Sequence, residues 1–209
     1  MINVVIADDH RLMREGLRQI LDREPDIAVV GEATNDIDVM DQVRKGGIDV
    51  VTMDLTMPGR SGIELIRRVR QEAPELPILV LTMHDEQHYA VRAIRAGAQW
   101  YLTKENAGIE LIDAIRQLAA GRCHISARVA EHLAMNLMAP TAGMPHSQLS
   151  NRELQIFSLL VAGTSVSAAA ADLMLSVKTV SAHKARILQK MGMSNLSQMV
   201  QYAVSHKLL

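Results

Sequence analysis

The chain has 209 residues, of which 48% are hydrophobic and 22% charged, and its single cysteine is Cys123. This composition is typical of a globular protein and excludes a disordered, collagen-like or disulfide-stabilised chain. No stretch approaches about eighteen consecutive apolar residues, and Asp8 and Asp9 come too early for a signal peptide, so we expect a cytoplasmic protein that does not enter a membrane.

The formal net charge of −1 conceals an uneven distribution. Residues 1–121 contain 14 basic and 20 acidic side chains, whereas residues 122–209 contain 8 and 3. A basic end of this kind is typical of a chain that meets a polyanion, although small domains also often differ by a few charges. Length and charge together favour two domains.

Five short apolar stretches in the first half predict β-strands. They are Asn3–Ala7, Ile27–Ala33, Ile48–Asp54, Pro77–Thr82 and Trp100–Leu102. Apolar residues between them recur at helical spacing, and the last helix is predicted from Gly108 to Ala120 with Gly121 as its C-cap. Alternating strands and helices favour a parallel sheet covered by helices on both faces.

The pattern changes after residue 121. One more helix is predicted over His124–Met138, and Ala139–Gln148 is interpreted as a linker because it contains Pro and Gly. From Leu149 onward the sequence predicts only helices, namely Asn151–Ala162, Ser167–Met174, Lys178–Met191 and Ser197–Ser205. The predicted organisation is a domain over 1–121, a helix and linker over 122–148, and an all-α domain over 149–209.

Polar residues that suit phosphoryl chemistry stand at the ends of four predicted strands. They are Asp8 and Asp9, Asp54, Thr82 and Lys104. Because ligands gather beyond the carboxyl ends of parallel strands, we expect these side chains to converge. Three close carboxylates repel one another unless a cation lies among them, and Mg²⁺ prefers such oxygen ligands. The ammonium and the hydroxyl could then hold the oxygens of a phosphoryl group transferred to a carboxylate.

Each of these residues also has an ordinary structural interpretation. Asp9 could cap a helix, Asp54 could open a loop, and Lys104 could be a solvated surface charge. Their joint placement at one edge of the sheet favours the phosphoryl site over these separate explanations.

Four sequence runs fall in the order and spacing of a known family: VVIADDH, VVTMDLTMPGRSG, VLTMH and YLTK. Through them, residues 1–121 resemble the receiver domain of bacterial two-component response regulators. The resemblance implies a flavodoxin-like (βα)5 fold in which a sensor histidine kinase phosphorylates Asp54. It also implies that Asp8, Asp9, Asp54 and the backbone carbonyl of Thr56 hold Mg²⁺ or Mn²⁺.

The same resemblance implies a switch beside the phosphoryl site. Thr82 and Lys104 would report the phosphoryl group to the rest of the domain, and Tyr101 would change rotamer. Taken alone, Tyr101 is equally a half-buried aromatic residue with its hydroxyl in water. Many receivers place Pro after the lysine and adopt a cis peptide there, whereas this chain has Glu105, for which a cis peptide costs about 2.5–4 kcal/mol.

The predicted helices Ser167–Met174 and Lys178–Met191 match helix-turn-helix spacing. The second helix carries basic residues on a broad outer face, while Val180, Ile187 and Met191 point inward. The basic residues are Lys178, His183, Lys184, Arg186 and Lys190. Such a face suits DNA phosphates, although a charged helix face is usually only solvated.

Two further runs are LSNRELQIFSLLVAG over 149–163 and LSVKTVSAHKARILQKMG over 175–192. Through them, the C-terminal domain resembles the helix-turn-helix output domain of NarL/FixJ (LuxR-type) regulators. The resemblance implies binding to double-stranded promoter DNA as a homodimer paired through Ser197–Ser205, although the residues of that helix could equally close the domain's own core. It is also compatible with a contact to RNA polymerase. The implied DNA-contacting residues are Lys178, Thr179, Ser181, Ala182, Lys184, Ala185, Arg186 and Lys190. Ser181, Ala182 and Ala185 would face the bases.

The first helix of this motif departs from the family. Relatives have a polar, polar, acidic, Ile, Ala run where this chain has one serine and four alanines over 167–171. Ala169 in place of a large aliphatic residue would cost about 2–5 kcal/mol in a fixed core. We expect Met174 or Met191 to fill the space.

The sequence therefore predicts a phosphorylation-controlled transcription factor and not an enzyme. Two other classes remain open. A Mg²⁺-dependent phosphohydrolase with an aspartyl-phosphate intermediate would need an Asp two residues after the nucleophile, where this chain has Thr56. A phosphorylation-independent DNA-binding protein would use its receiver only for dimerisation, and the complete set of pocket residues argues against it.

Overall fold

The computed structural model of the protein describes residues 1–57, 62–83, 86–125, 129–131, 144–206 and 208. The chain divides into two compact units, Met1–Met135 and Asn136–Leu209. Most of the predicted helix His124–Met138 and half of the predicted linker, residues 139–143, lie outside the described residues. Of that helix, His124 and Ile125 are not helical, whereas residues 129–131 are. The predicted domain limits stay predictions.

Strands and helices alternate through the N-terminal unit. The strands are β1 (Ile2–Ala7), β2 (Ile27–Ala33), β3 (Val50–Met53), β4 (Ile78–Thr82) and β5 (Trp100–Thr103). The helices are α1 (Arg11–Leu21), α2 (Asp36–Lys45), α3 (Gly62–Glu72), α4 (Glu86–Ala96) and α5 (Ala107–Ala119). The predicted strands are confirmed, with ends shifted by a few residues, the largest shift being the later start of β3.

The five strands form one parallel sheet in the order β2-β1-β3-β4-β5. This arrangement confirms the predicted flavodoxin-like α/β fold. Strands β3 and β4 are buried along their whole length because helices cover both faces of the sheet. Ala7 is in register with Met53, and Thr82 with Thr103. The residues that follow β1, β3 and β5 therefore meet at one edge of the sheet.

The C-terminal unit contains helices only among its described residues. A 3₁₀ turn, Pro145–Gln148, precedes α6 (Asn151–Val161), α7 (Val166–Asp172), α8 (Val177–Met191) and α9 (Leu196–Ser205). Each helix begins at a side-chain cap, and Gly192 ends α8 in the left-handed conformation (φ 65°). Among the described parts of both units, no helix is long and apolar enough to cross a bilayer.

The helix α7 ends earlier than the sequence predicts. Met174 was expected inside the helix, but it adopts a left-handed backbone (φ 51°) and its side chain is 67% exposed. Met174 therefore does not fill the space beside Ala169. Ala169 itself is fully buried, and Met191 is buried in the same domain. Of the two methionines expected to compensate for the small residue, only Met191 lies in the core.

Gly62, at the start of α3, lies against the backbone of Leu55. A Cβ atom at Gly62 would be 2.5 Å from the Leu55 Cα atom, and this contact is with backbone and cannot be relieved by a side-chain rotation. We expect Gly62→Ala to lower the free energy of unfolding of the N-terminal unit by about 1–3 kcal/mol. Denaturant unfolding followed by circular dichroism measures this change.

Gly16→Ala is the matched control, because a Cβ atom at Gly16 in α1 meets nothing within 4 Å. Removing a helical glycine there should raise the free energy of unfolding by about 0.5–1 kcal/mol. Equal effects of the two substitutions would contradict the close backbone approach at Gly62.

Candidate functional site

A buried lysine joins two buried carboxylates at the carboxyl edge of the sheet. Lys104 Nζ lies 2.6 Å from Asp8 Oδ2 and 2.7 Å from Asp54 Oδ2. The side chains of Lys104, Asp8 and Asp54 are only 3%, 2% and 1% exposed. The interpretation of Lys104 as a solvated surface charge is therefore wrong.

The electrostatics of Lys104 follow from this geometry. Burial disfavours the charged ammonium, but the carboxylates of Asp54 and Asp8 outweigh burial and raise the pKa of Lys104. The side chain therefore stays positively charged at neutral pH. The peptide bond between Lys104 and Glu105 is trans.

Thr56 holds the Asp54 carboxylate from the following loop. Its hydroxyl donates to Asp54 Oδ2 at 2.7 Å, and its backbone N–H donates to Asp54 Oδ1 at 3.1 Å. Sequence reasoning gave Thr56 only a role for its carbonyl and missed both contacts. The signal that could have found them is the spacing, because an Asp side chain often accepts from the backbone two residues later.

The two predicted switch residues lie in the adjoining strands. Thr82 is fully buried at the end of β4, and Tyr101 in β5 is 6% exposed. The backbone N–H of Lys104 donates to the Thr82 carbonyl at 2.8 Å. Tyr101 is thus buried rather than half-buried, and the backbone links Thr82 directly to Lys104.

Asp9 lies beside this group, with 12% of its side chain exposed. Burial raises the pKa of the Asp9 carboxyl, and His10 opposes this shift. The carboxylates of Asp54 and Asp8 raise it further. The N-cap residue of α1 is His10, which makes no side-chain cap bond. The alternative role of Asp9 as a helix cap thus finds no support in the described contacts.

The residues present fit a divalent cation. One ligand atom from each of Asp8, Asp9, His10 and Asp54 lies within 4.8 Å of the others. Asp9 Oδ1 is buried and accepts no hydrogen bond from the described residues. Crowded carboxylates with an unmet acceptor oxygen are the donor set that hard cations such as Mg²⁺ prefer. The sequence-predicted acidic residues are therefore brought together, with His10 as an addition.

In the C-terminal unit, α8 turns most of the implied DNA-contacting residues outward. Six of them are exposed: Lys178, Ser181, Ala182, Ala185, Arg186 and Lys190. Thr179 and Lys184 are partly buried. Val180, Ile187 and Met191 point into the core as predicted. The Thr179 hydroxyl lies 2.7 Å from that of Ser176, the N-cap residue of α8.

Lys190 of α8 is engaged in a way that the sequence did not indicate. Lys190 Nζ donates to Glu153 Oε2 at 2.6 Å, and Glu153 also accepts from the backbone N–H of Ser150 in a capping box. Burial alone would raise the pKa of Glu153, but its contacts with Lys190 and Ser150 lower it. The charge of Lys190 is thus already paired within the domain.

His183 is partly buried and does not add to the positive face. Burial and the nearby Arg186 lower its pKa, so the imidazole is neutral at pH 7. Its Nδ1 atom is buried without a hydrogen-bond partner in the described part of the chain. The free positive charge of α8 therefore comes from Lys178, Lys184 and Arg186.

Comparisons with known proteins match both units. The family described as response regulator receiver domain matches residues 4–116, and the family described as bacterial regulatory proteins, luxR family, matches residues 147–203. The chain is 35% identical over 209 residues to the response regulator UvrY of Escherichia coli K12, covering all of this chain and 96% of that one. It is 34% identical over 215 residues to the oxygen regulatory protein NreC of Staphylococcus carnosus, covering 100% and 99%.

Solved structures agree with this result. RcsB from Salmonella enterica serovar Typhimurium, bound to the promoter rprA in the presence of phosphomimetic BeF₃⁻, superposes with a TM-score of 0.62 at 28% identity. That match covers 98% of this chain and 100% of RcsB. ChrA, a response regulator of a heme-sensing two-component system, matches at 35% identity over the whole chain with a TM-score of 0.53.

Both families match in the order receiver then helix-turn-helix, and the relatives align over nearly their full length. The chain belongs to the NarL/FixJ family of two-component response regulators, with a receiver domain followed by a LuxR-type DNA-binding domain.

Proposed function

We propose that phosphorylation of Asp54 by a sensor histidine kinase controls the binding of the C-terminal domain to promoter DNA. The observation that carries this proposal is the Asp54 carboxylate, which is 1% exposed and is held by Lys104 Nζ at 2.7 Å and the Thr56 hydroxyl at 2.7 Å. A carboxylate fixed beside a buried ammonium is prepared to carry additional negative charge.

The chemical step is a transfer between two nucleophiles. An Asp54 oxygen attacks the phosphorus of the kinase phosphohistidine, forming a P–O bond as the P–N bond breaks. The electron pair of the broken bond stays on the imidazole nitrogen of the kinase. In the regulator, Lys104 balances the negative charge on the phosphoryl oxygens, and Thr56 keeps the Asp54 carboxylate oriented.

A divalent cation fits the same pocket, and Mg²⁺ or Mn²⁺ is the expected ion. Asp8, Asp9, Asp54 and the Thr56 backbone carbonyl are the groups that would hold it. When bound, such an ion neutralises charge between the carboxylates and the phosphoryl oxygens. The two oxygens of Asp8 serve different neighbours, because Oδ2 contacts Lys104 and Oδ1 accepts from the His10 backbone N–H.

The phosphoryl group carries a charge of roughly −1.5 to −2, which replaces the single negative charge of the Asp54 carboxylate at the position where Lys104 now bridges two carboxylates. The ammonium then has a new and more highly charged partner. The backbone N–H of Lys104 is hydrogen-bonded to the Thr82 carbonyl, and β4 pairs with β5 through Val80 and Tyr101. These contacts support Thr82 and Tyr101 as the residues through which the change leaves the pocket.

For DNA binding, the exposed face of α8 supplies residues for contacts with phosphates and with bases. Lys178, Lys184 and Arg186 would neutralise phosphates, and the short side chains Ser181, Ala182 and Ala185 would permit close approach to base edges. The RcsB complexes with promoter DNA support this role for the matching domain. Pairing of two copies through α9 is supported by Val204, which is 62% exposed on that helix.

Turnover of external phosphate esters is not expected. The position two residues after Asp54 holds Thr56, whose hydroxyl is engaged with the Asp54 carboxylate. A threonine hydroxyl does not titrate near neutral pH and is a poor general acid or base. These contacts favour a regulator that carries one phosphoryl group over a phosphohydrolase.

Asp54→Asn should remove phosphorylation, because an amide oxygen does not form a stable acyl phosphate. With acetyl phosphate and Mg²⁺, the wild type should gain one acid-labile phosphoryl group, measured by intact mass and by phosphate-affinity electrophoresis. Asp113→Asn, which neutralises an exposed carboxylate on α5, should be phosphorylated like the wild type. Phosphorylation of Asp54→Asn at the wild-type level would rule out Asp54 as the acceptor.

Lys104→Met should make the N-terminal unit depend on Mg²⁺ for stability. Removing one partner of a buried ion pair costs about 3–5 kcal/mol, since Asp8 and Asp54 are left facing each other. Mg²⁺ should restore more of the free energy of unfolding in this variant than it adds to the wild type. Lys45→Met, on the exposed end of α2, is the control. Equal Mg²⁺ effects on all three proteins would argue against a cation among the carboxylates.

Lys178→Gln and Lys190→Gln should affect DNA binding differently, although both remove one positive charge from α8. Lys178→Gln should weaken binding to duplex DNA of arbitrary sequence and reduce the slope of log K against log salt by about 1. Lys190→Gln should leave the slope nearly unchanged and instead lower the stability of the domain, since it leaves Glu153 unpaired. Fluorescence anisotropy across a salt series measures the slopes. If both substitutions reduced the slope equally, Lys190 would be a DNA-contacting residue.

A further inference from the structure

The turn between α7 and α8 contains a backbone conformation that its sequence does not favour. The turn covers residues 173–176, and Met174 within it has a φ of 51°. Among the described residues, Met174 is the only one other than glycine with a positive φ. A bulky side chain makes this left-handed conformation costly, whereas glycine adopts it freely. The end of α8 has Gly192 in the same conformation, so the chain uses glycine at one helix end and methionine at the other.

Two backbone hydrogen bonds define the shape of this turn. The N–H of Met174 donates to the Ala171 carbonyl at 3.1 Å, and the N–H of Leu175 donates to the Ala170 carbonyl at 2.8 Å. This pattern is a Schellman motif, in which the left-handed residue after the C-cap is usually glycine. Met174 is 67% exposed, so its side chain gains little from packing that could offset the strain. Packing of Met174 therefore does not explain why the turn keeps this shape.

Arg152 reaches the turn from the neighbouring helix α6. Its Nη2 donates to the carbonyl of Leu173, the C-cap residue of α7, at 3.0 Å, and its Nη1 donates to Gln155 Oε1 at 2.7 Å. Gln155 is only 6% exposed, so a buried amide orients the guanidinium. A cation beside the last carbonyls of a helix also interacts favourably with the helix dipole. One charged hydrogen bond thus holds the residue that precedes Met174.

The charge of Arg152 is not taken up by an acidic side chain in the described part of the domain. No ion pair there includes Arg152, and the adjacent Glu153 is paired with Lys190 instead. Burial lowers the pKa of His183 on α8, and the positive charge of Arg152 lowers it further. The guanidinium therefore lies where α6, the end of α7 and α8 come together.

We propose that Arg152 is a positioning residue for DNA binding, which holds Met174 in its left-handed conformation and thereby fixes the angle between α7 and α8. The inference rests on the proposed binding of α8 to DNA and names the contact that orients this helix. Phosphate contacts tolerate a small movement of α8, whereas base contacts require a fixed position in the groove. Loss of Arg152 should therefore reduce sequence preference more than affinity for DNA in general.

Fluorescence anisotropy with two DNA duplexes tests this inference on the full-length protein. One duplex is selected from a random pool by the wild type treated with acetyl phosphate and Mg²⁺, and the other is a scrambled version of it. Arg152→Gln should lower affinity for the selected duplex by about 10-fold or more, as expected for losing a hydrogen bond to a charged group. Affinity for the scrambled duplex and the slope of log K against log salt should change much less.

Equal losses on both duplexes would overturn the inference, because a merely structural role lowers all DNA binding alike. A slope reduced by about 1 would also overturn it, since Arg152 would then be a phosphate contact. If Arg152→Gln does not fold, Arg152→Lys takes its place with the same expected result, because lysine keeps the charge but not the planar fork.

Substitutions of Met174 separate the turn from the other contacts of Arg152. Met174→Gly removes the backbone strain, so its addition to Arg152→Gln should restore most of the lost preference for the selected duplex. Met174→Ala removes the same exposed side chain but keeps the left-handed strain, and it should restore nothing. Rescue by both substitutions, or by neither, would contradict the role of Arg152 in holding this conformation.

A double-mutant cycle without DNA distinguishes failure of this inference from failure of the proposed function. Arg152→Gln should increase opening of α7 and α8 more in the wild-type background than in the Met174→Gly background, because the two residues act on one turn. Hydrogen exchange of the α7 and α8 amides in the full-length protein measures this opening. Additive effects would overturn the inference even if the protein binds DNA. A wild type that shows the coupling but selects no duplex would contradict the proposed function instead.

Discussion

The structure of the receiver depends on one interaction, the ammonium of Lys104 placed between the buried carboxylates of Asp8 and Asp54. Taking three charges out of water is costly, and the arrangement is stable only because opposite charges lie within 2.7 Å of each other. Each residue follows a different strand. The contact therefore exists only when β1, β3 and β5 are parallel and correctly aligned.

This dependence explains why the pocket can respond to charge. In the proposed function, a cation near Asp8 and Asp9 would compete with Lys104 for the carboxylates, whereas a phosphoryl group on Asp54 would compete with the Asp8 carboxylate for the ammonium. Any such change alters the balance of a group that has almost no contact with solvent and is therefore poorly screened. In the proposed function, the backbone hydrogen bond from Lys104 to Thr82 transmits the altered charge balance of the pocket to β4 and β5.

In the DNA-binding domain, one of the basic residues of α8 is paired with an acidic residue inside the domain. Glu153 caps α6 and pairs with Lys190 of α8, so the two helices are joined by a charged contact that includes the capping box. Ala169 and Ala170 of α7 are buried beside them. The remaining cations of α8 are free to face solvent on a helix whose position is set by these contacts.

Pocket and DNA-binding helix thus follow the same physical rule. Charges with an internal partner hold elements together, and charges or polar atoms without one are available to ligands. Lys104 and Lys190 belong to the first group. Lys178, Arg186 and the unmet oxygen of Asp9 belong to the second.

By itself, the amino-acid sequence determined the type and order of the elements, because hydrophobic periodicity and capping residues act over a few neighbouring positions. It also determined that Asp8, Asp54 and Lys104 lie at one edge, since parallel strands end together. Helix ends were less well determined, as the early end of α7 before Met174 illustrates. Only the tertiary structure decided the contacts of Lys104 with Asp8 and of Lys190 with Glu153, and the position of His10 beside two carboxylates. Such pairings depend on distances of a few tenths of an ångström between side chains from separate elements, which no local pattern specifies.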